Sequence, residues 1–308
     1  MRSPSRQLGL ASILFTTMTC LTAIGCGSSQ PTEPSLVQQV ELTQHERNPE
    51  IRARRLIDLS IKQREMKDNP GAAATVDLAL KSAQEIKVPT IKAEVLLAVA
   101  KELTKAGGSK IQANDAIESA RVAVATIPDR GEKVAAQISL GVALFQLGER
   151  PTANVSLTGA ESLLEGVTKP AEKATLLAAL GAAWAQTGDK AKSDAALKSA
   201  AGTTAGIADA RERVRAQSAV AASLYGDEQP TAGRQFLDAA VVSARSITDP
   251  QGKAYALSEI FEALSPFRTR VPVSELLTEA GTAAQEVKDQ DQKTVLLRHL
   301  QSLLSVPQ

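Results

Sequence analysis

Apolar residues recur at helical spacing through most of this chain, in runs that come in pairs. In one pair, the first run places them on one face of a helix, at Leu176, Leu177, Leu180 and Trp184. After a Gly188–Asp189 turn, a second run does the same at Leu197, Ala200, Ala201 and Ile207. Alternating β-branched and aromatic stretches are scarce. The pattern predicts two amphipathic helices joined by a tight turn.

The paired pattern returns at a nearly constant spacing, which we call the repeat period. An apolar marker at Ile86 is followed by Ile127, Val167, Ile207, Ile247 and Val287, so the residue number rises by 41 once and then by 40 each time. Alanine stands seven residues before each marker, and a base stands six residues after it, at Lys92, Lys133, Lys173, Arg213, Lys253 and Lys293. One helix pair cannot bury its apolar face alone, whereas stacked pairs can. The repeat therefore predicts an all-α solenoid.

Helix boundaries are marked by capping residues. Asp129 and Asp209 each precede a glutamate by three residues, which is the capping-box spacing. Asn48 precedes a proline suited to the first helical position. Gly107 and Gly148 suit the left-handed residue that ends a helix. We predict about six helix-turn-helix repeats over 48–308, closed by a C-terminal capping helix from Asp291 to about Ser305.

The N-terminus resembles a bacterial lipoprotein signal. A basic start is followed by an apolar run over 8–24, and the sequence Ala-Ile-Gly-Cys that ends at Cys26 resembles a lipobox. The resemblance implies that residues 1–25 are a signal peptide, that cleavage precedes Cys26, and that Cys26 carries acyl chains such as palmitate. The alternative is an ordinary secretory signal with incidental cysteines at Cys20 and Cys26.

A flexible tether is predicted over 26–47, because the residues after Cys26 are small, polar and rich in proline. Gly27, rather than aspartate, follows the cysteine. By resemblance to enterobacterial sorting, this implies a protein anchored in the outer membrane, facing the periplasm or the cell surface.

Charge excludes one class of partner. Without residues 1–25 the chain keeps 33 basic and 34 acidic residues, a near-neutral balance. A nucleic-acid-binding protein would need a clustered basic surface, so nucleic acid is not expected as a partner. The membrane is expected as a partner only through the lipid anchor.

Residues 50–308 resemble tetratricopeptide repeats. One unit shows the family's pattern of large and small residues at Leu140, Gly141, Leu144, Gly148, Ala153, Leu157 and Ala160. The repeat period is longer than that of the family, at about 40 residues against about 34, and HEAT-like repeats are the alternative. Both resemblances imply partner binding, usually on the concave side, and the tetratricopeptide one implies a right-handed α-solenoid.

Signals of catalysis are weak. The two histidines, His45 and His299, have no neighbouring ligands at metal-binding spacing, and Glu259 and Glu262 favour a surface pair over an acid–base pair. We therefore predict no catalytic residue, no metal and no cofactor. The recurring base is interpreted as pairing with the preceding aspartate or a neighbouring carboxylate. The alternative is a ladder of cations for an acidic ligand.

A binding groove can be proposed by the same resemblance, in which first helices line the concave side. This places Phe145, Gln186, Arg215, Tyr225, Tyr255 and Glu262 on that surface, around a floor that includes Ile138, Ala182 and Ala185. Trp184 is interpreted as core packing. The alternative for the other aromatic residues is that they are lone apolar surface residues.

These features favour a membrane-tethered protein-binding or scaffolding module of the cell envelope, without catalysis. A protein or peptide is the expected partner. The alternatives are a structural subunit of an envelope assembly complex and, with little support, an enzyme built on a helical scaffold.

Overall fold

A computed structural model describes residues 34–107 and 109–304 of the chain. The predicted signal peptide and Cys26 lie outside the described residues. The described part contains α-helices and one 3₁₀ turn, with no strand. The helices are α1 Leu36–Gln44, α2 Pro49–Glu65, α3 Asn69–Gln84, α4 Pro89–Lys105, α5 Lys110–Ala125, α6 Arg130–Gln146, α7 Arg150–Leu164, α8 Pro170–Thr187, α9 Lys190–Ala205, α10 Ala210–Gly226, α11 Pro230–Arg245, α12 Pro250–Leu264, α13 Ser274–Gln285 and α14 Gln290–Leu304.

Helices α2 to α13 form six successive pairs, and α14 closes the array, so the predicted solenoid is confirmed. Each first helix (α2, α4, α6, α8, α10 and α12) packs against its own second helix and against the first helices beside it. Each second helix packs against the first helix of the following pair. Because the first helices contact one another directly and the second helices scarcely do, the first helices form the inner, concave layer.

Small residues let the two helices of a pair approach closely. A Cβ added to Gly141 of α6 would lie 2.6 Å from a methyl carbon of Leu157 in α7. A Cβ on Gly181 of α8 would lie 2.9 Å from Cγ of Leu197 in α9. Trp184 is only 1% exposed, so it belongs to the core as predicted. Burial of leucine, alanine and this one tryptophan supplies the main stabilisation of the array.

Aspartate side chains cap the starts of helices and glycines end them, as the sequence predicts. The Asp129 carboxylate accepts the backbone N–H of Glu132 at 2.9 Å, and Asp209 accepts that of Glu212 at 2.7 Å. Gly148 and Gly188 end their first helices with φ of 87°, in the left-handed region. At the equivalent turn of the fifth pair, Glu228 adopts φ of 59°.

At several positions the recurring base has a different role from the one we predicted, although Arg52, one repeat period before Lys92, does pair with the Glu85 carboxylate. Lys133 Nζ donates to the carbonyl of Ala125 at 2.9 Å, and Lys92 Nζ donates to that of Gln84 at 2.7 Å. Both carbonyls belong to the end of the preceding second helix, where backbone acceptors have no partner within the helix. A cation is also favoured there by the helix dipole. At these positions the base therefore caps the preceding helix, in place of the predicted pairing with a carboxylate.

Helix α1 lies inside 26–47, where the sequence suggested a flexible tether. It packs on α2 and buries Val40 and Thr43. It ends at Gln44, one repeat period before the end of α3 at Gln84. It therefore takes the place of a second helix, and forms a half-pair with no first helix before it among residues 34–107 and 109–304. The sequence analysis missed this helix because it is only nine residues long and directly follows a polar, proline-containing stretch.

The base that follows α1 continues the repeat. Arg52 lies one repeat period before Lys92 and donates from Nη1 to the carbonyl of Glu46 at 2.8 Å. Its Nε donates to Ser82 Oγ at 2.9 Å. Arg213 makes the matching pair of bonds, to Ile207 O at 2.6 Å and Ser243 Oγ at 3.3 Å. These bonds show that the repeat begins before residue 48.

Removal of α1 tests this assignment. A chain that starts at Glu46 should melt about 2–5 °C lower than one that starts at Ser35, because it loses the burial of an apolar side chain on α2. Thermal unfolding followed by circular dichroism measures the difference. Equal melting temperatures would show that residues 36–44 do not stabilise the array and belong to the tether.

Candidate functional site

Four positions of each first helix face the concave side, spaced by four, three and four residues. In α6 they are Ala135, Ser139, Val142 and Gln146, all exposed or half-exposed. The same positions in α8 are Thr175, Ala179, Ala182 and Gln186. We call these positions the concave columns. They recur with the repeat period, so equivalent residues of successive repeats lie beside one another on neighbouring helices.

The concave columns enclose a recess of about 370 Å³ in the middle of the array. We call this recess the central groove. It is lined by α4, α6 and α8 and by one residue after α10, through Leu97, Ala98, Lys101, Ala135, Ile138, Ser139, Val142, Ala143, Gln146, Ala179, Ala182, Ala183, Gln186 and Asp227. A second recess of about 300 Å³ adjoins it beside Thr104 and Lys105. The floor is thus made mainly of alanine and small aliphatic residues.

Charged groups lie only at the borders of the central groove. Lys101 is exposed on the α4 side. Asp227 is half-buried at the opposite rim, and burial raises the pKa of its carboxyl group, against a smaller opposing effect of the Ser223 hydroxyl. All eight concave-column residues of α6 and α8 are uncharged. The groove therefore offers a neutral apolar surface between polar rims.

A second feature occupies the C-terminal end of the same face. We call it the C-terminal cluster, formed by Arg211 and Arg215 of α10, Tyr255, Glu259 and Glu262 of α12, and His299 of α14. Glu259 Oε1 accepts hydrogen bonds from Arg211 Nη2 at 2.6 Å and from Arg215 Nη2 at 2.7 Å. These hydrogen bonds tie α10 to α12.

Tyr255 and His299 complete the cluster. The Tyr255 ring lies between the Arg211 guanidinium, whose carbon is 5.0 Å from the ring centroid, and the His299 ring, 6.3 Å away. His299 Nε2 lies 3.1 Å from Glu262 Oε1, so α12 is joined to α14 as well. The cluster replaces the small floor of the central groove with large polar side chains.

Glu259 is held as a carboxylate. Burial raises the pKa of its carboxyl group. The hydrogen bonds from Arg215 and Arg211, together with their charges, lower this pKa by more than burial raises it, so the net shift is downward. Its side chain is 18% exposed, and Oε2 is buried without a hydrogen-bond partner among the described residues. A carboxylate locked in this way is a poor proton donor, so the arrangement suits holding helices or a ligand better than general acid catalysis.

The structure divides the six predicted groove residues among three places. Gln186 lines the central groove, together with Ile138 and Ala182 of the predicted floor. Arg215, Tyr255 and Glu262 fall in the C-terminal cluster. The remaining two, Phe145 and Tyr225, contact the neighbouring turns.

The placement of Tyr225 on the groove surface needs correction. Its side chain is 5% exposed, stacked on Phe267 at a centroid distance of 5.9 Å and packed against Gly233. Phe145 is half-buried, with the Arg150 guanidinium 5.3 Å from its ring centroid. Both aromatic residues directly follow a core leucine. Phe145 is contacted by Arg150 at the start of α7, and Tyr225 is covered by Gly233 of α11 and by Phe267 from the turn after α12. A Tyr225→Ala change would therefore report on folding rather than on binding.

Three members of the cluster were missed as site residues: Arg211, Glu259 and His299. A signal for two of them was present in the repeat, because Glu259 and His299 are one repeat period apart and so occupy the same column. Arg211 precedes Arg215 by one helical turn, which places both on one face. Aligning the repeats by column would have brought these residues together.

Residues 34–107 and 109–304 lack two further features. No group of three histidine, cysteine or acidic side chains is placed to hold a metal ion. No helix in that part of the chain is long and apolar enough to cross a membrane.

Comparison with known proteins adds little. No protein-family model matches the sequence. No curated protein matches it either. The resemblance to tetratricopeptide repeats therefore stays a prediction at the level of family.

Two solved structures show a general similarity. One is Ton1535 from Thermococcus onnurineus NA1, with a TM-score of 0.38 and 12% identity over 86% of this chain and 98% of that chain. Another is a Rap protein complexed with competence and sporulation factor, with a TM-score of 0.35 and 13% identity over 88% of this chain and 80% of that one. At these scores neither structure transfers a site or a function to this chain.

The cluster predicts a pH dependence of stability. The folded-state pKa of Glu259 is lowered, so its contribution is complete above an unfolded pKa of about 4.5 and is lost as the pH falls through the folded value. At pH 7, Glu259→Gln should lower the melting temperature by about 1–4 °C. This difference should shrink steadily below about pH 4.5. A difference that stays constant down to pH 2.5 would show that the arginine contacts do not stabilise the folded chain.

Proposed function

We propose that this protein is a non-catalytic binding module of the bacterial cell envelope, held at a membrane by lipid on Cys26, which takes a partner protein on its concave face. The observation that carries the proposal is the central groove. Its floor is apolar, open to solvent and neutral over two successive helices. Contiguous exposed apolar surface bordered by polar residues is typical of interaction sites.

Small floor residues support this role physically. Alanine at Ala98, Ala135 and Ala179 leaves room for the larger side chains of a partner. Burying such side chains against the floor supplies binding free energy of about 25 cal/mol per Å² of apolar area, before the cost of association is subtracted. The rims at Lys101, Gln146 and Gln186 provide polar contacts that can favour one partner over another.

The alternative of a structural envelope subunit has weaker support. It would call for a large apolar patch on an outer edge. The exposed aliphatic residues of the second helices, such as Val122, Val155 and Val242, lie on different helices, and single exposed residues of this kind are ordinary. The concave face is therefore the better-supported interaction surface.

Membrane attachment rests on the lipobox resemblance. Three acyl chains on Cys26 would exceed the two signals that stable anchoring needs. The tether would then cover residues 26–35 and lead directly into α1. An outer-membrane position, facing the periplasm or the surface, is part of the proposal because Gly27 follows the cysteine.

The anchor can be tested with paired cysteine variants. Cys26→Ser should move the protein from the membrane fraction to the soluble fraction, because its acyl chains are lost. Cys20→Ser is the control and should remain with the membrane. Membrane fractionation with immunoblotting measures both. Persistent membrane association of Cys26→Ser, equal to that of the control, would exclude the lipobox.

The groove can be tested with paired serine variants. Ser139 in the central groove and Ser162 on α7 are both exposed, and each hydroxyl donates to the carbonyl four residues earlier at 3.1 Å. Ser139→Arg and Ser162→Arg therefore make the same local change at different places. Only Ser139→Arg should block the groove.

A partner captured from envelope extract by the mature chain serves as the ligand. Ser139→Arg should weaken its binding at least about tenfold, and Ser162→Arg should leave it near the wild-type value. Isothermal titration calorimetry measures the two affinities. Equal affinities would show that the partner binds elsewhere. Tyr255→Ala then reports whether contacts extend to the C-terminal cluster.

A further inference from the structure

We propose that the concave face binds one α-helix of a partner protein, about 20 residues long, with large apolar side chains in its middle and acidic residues at both ends. This inference rests on the proposed function and names the form and chemistry of the partner. Four observations carry it: the width of the apolar floor, its lack of free hydrogen-bonding groups, its length and the position of its charges.

The floor has the width of a helix. On α6 the small concave residues run from Ala135 through Ser139 to Val142. Ala135 and Val142 are seven residue steps apart, which at about 1.5 Å per step is about 10 Å along the helix. The matching residues of α8 extend the floor sideways by one helix spacing. A helix with its side chains is about 10–12 Å across, whereas an extended peptide would fill only part of this width.

The floor has little to offer an extended backbone. A buried peptide group needs a hydrogen-bond partner, and an extended segment depends on its binding site for one. The hydroxyls on the floor are already used, because Ser139 donates to Ala135 O and Thr175 donates to Ala171 O, both at 3.1 Å. The neighbouring floor side chains are aliphatic. A helix satisfies its own backbone and so avoids this cost.

The length follows from the number of first helices crossed. The column that contains Ser139 has small residues on four successive first helices, at Ala98, Ser139, Ala179 and Ala219. Packed helices lie about 8–10 Å apart, so this row is about 30 Å long. A helix of about 20 residues has that length. The row ends at Glu259, where the C-terminal cluster begins.

Charge sets the ends of the partner helix. Lys101 and Lys105 are exposed on α4, at one end of the row. At the other end, Arg211 and Arg215 share the single carboxylate of Glu259, which leaves one excess positive charge, and Arg215 is 58% exposed. No charged concave-column residue lies between these ends on α6 or α8. Acidic side chains at both ends of an apolar helix complement this arrangement.

Several acids lie near the row. On the α4 side, Asp58 of α2 precedes Ala98 in the same column and is exposed, and the exposed Glu94 of α4 is paired with Arg54 at 3.1 Å. The positive charge at the α4 end comes from Lys101 and Lys105, which border the groove, while Asp58 lies one helix further out.

Asp227 lies half-buried at the side rim of the groove, where it accepts a hydrogen bond from the Ser223 hydroxyl at 3.4 Å. Glu262 lies within 3.1 Å of His299, beyond the end of the row. None of these acids lies on α6 or α8, so the floor stays neutral.

Two peptide display libraries test the proposal. Their members have the length of the proposed helix. One library is built on a helix-forming scaffold, and the other carries a central proline that prevents a continuous helix. Both are selected on the mature chain carrying Cys26→Ser, and binders that also retain Ser139→Arg are discarded. The remaining peptides depend on the central groove.

The helical library should supply the groove-dependent peptides. These should carry large apolar residues at helical spacing in the middle and Asp or Glu near both ends. Lys101→Glu should weaken their binding about tenfold, while Lys198→Glu on α9 should leave it unchanged. Circular dichroism should show the peptide gaining helix on binding.

The contrary outcomes separate the two proposals. Groove-dependent peptides that come from the proline library, or that have basic ends, would overturn the helix assignment and leave the binding function standing. An empty selection would overturn the helix assignment too, if Ser139→Arg still abolishes binding of the captured partner. An empty selection with no effect of Ser139→Arg on that partner would overturn both.

Discussion

Close contact between neighbouring first helices is the constraint on which the rest of this structure depends. A single amphipathic pair leaves an apolar face in water, and only stacking removes it. Glycine and alanine at positions such as Gly141 and Gly181 let the helices approach closely enough for leucine side chains to interlock. Once the first helices touch, the array curves, and the same four positions of every repeat face the inner side. The position of the concave columns is thus determined by helix packing and does not depend on a partner.

The repeats differ most at positions where packing constrains the side chain least. Positions that face the core hold mostly alanine and aliphatic residues, with Trp184 the one tryptophan, whereas the concave columns change in character along the array. They are mostly small and neutral on α6 and α8, whereas α12 presents Tyr255, Glu259 and Glu262. The Arg211, Arg215 and Glu259 contacts join α10 to α12 on the side of the array where a partner would lie. One face therefore combines an open apolar middle with a polar end that is closed by its own hydrogen bonds.

Much of the fold could be predicted because the repeat itself carries the information. The repeat period, the aspartate caps and the turn glycines each follow from local backbone chemistry, and the structure has them where the sequence placed them. The site was harder, because the facing of a side chain depends on contacts between repeats. Tyr225 has the spacing of a surface residue but is covered by Phe267 from a later turn. Glu259 and His299 meet their partners only across helix boundaries, which periodicity within one helix does not show.

The half-pair at the N-terminus changes how the array divides. Counted from α1, the described helices form seven units without remainder, each made of an outer helix and the inner helix that follows it. In several of these units, including those of Arg52, Lys92 and Lys133, a base on the inner helix binds the preceding helix end or the loop that follows it. The unit that keeps each base with its acceptor is therefore offset by one helix from the pair that packs most extensively. A gene duplication or loss with its ends at the turn after Gly148 or Gly188 would carry each base together with its backbone acceptor. An array of this kind could therefore lengthen or shorten by whole repeats while every base keeps that acceptor.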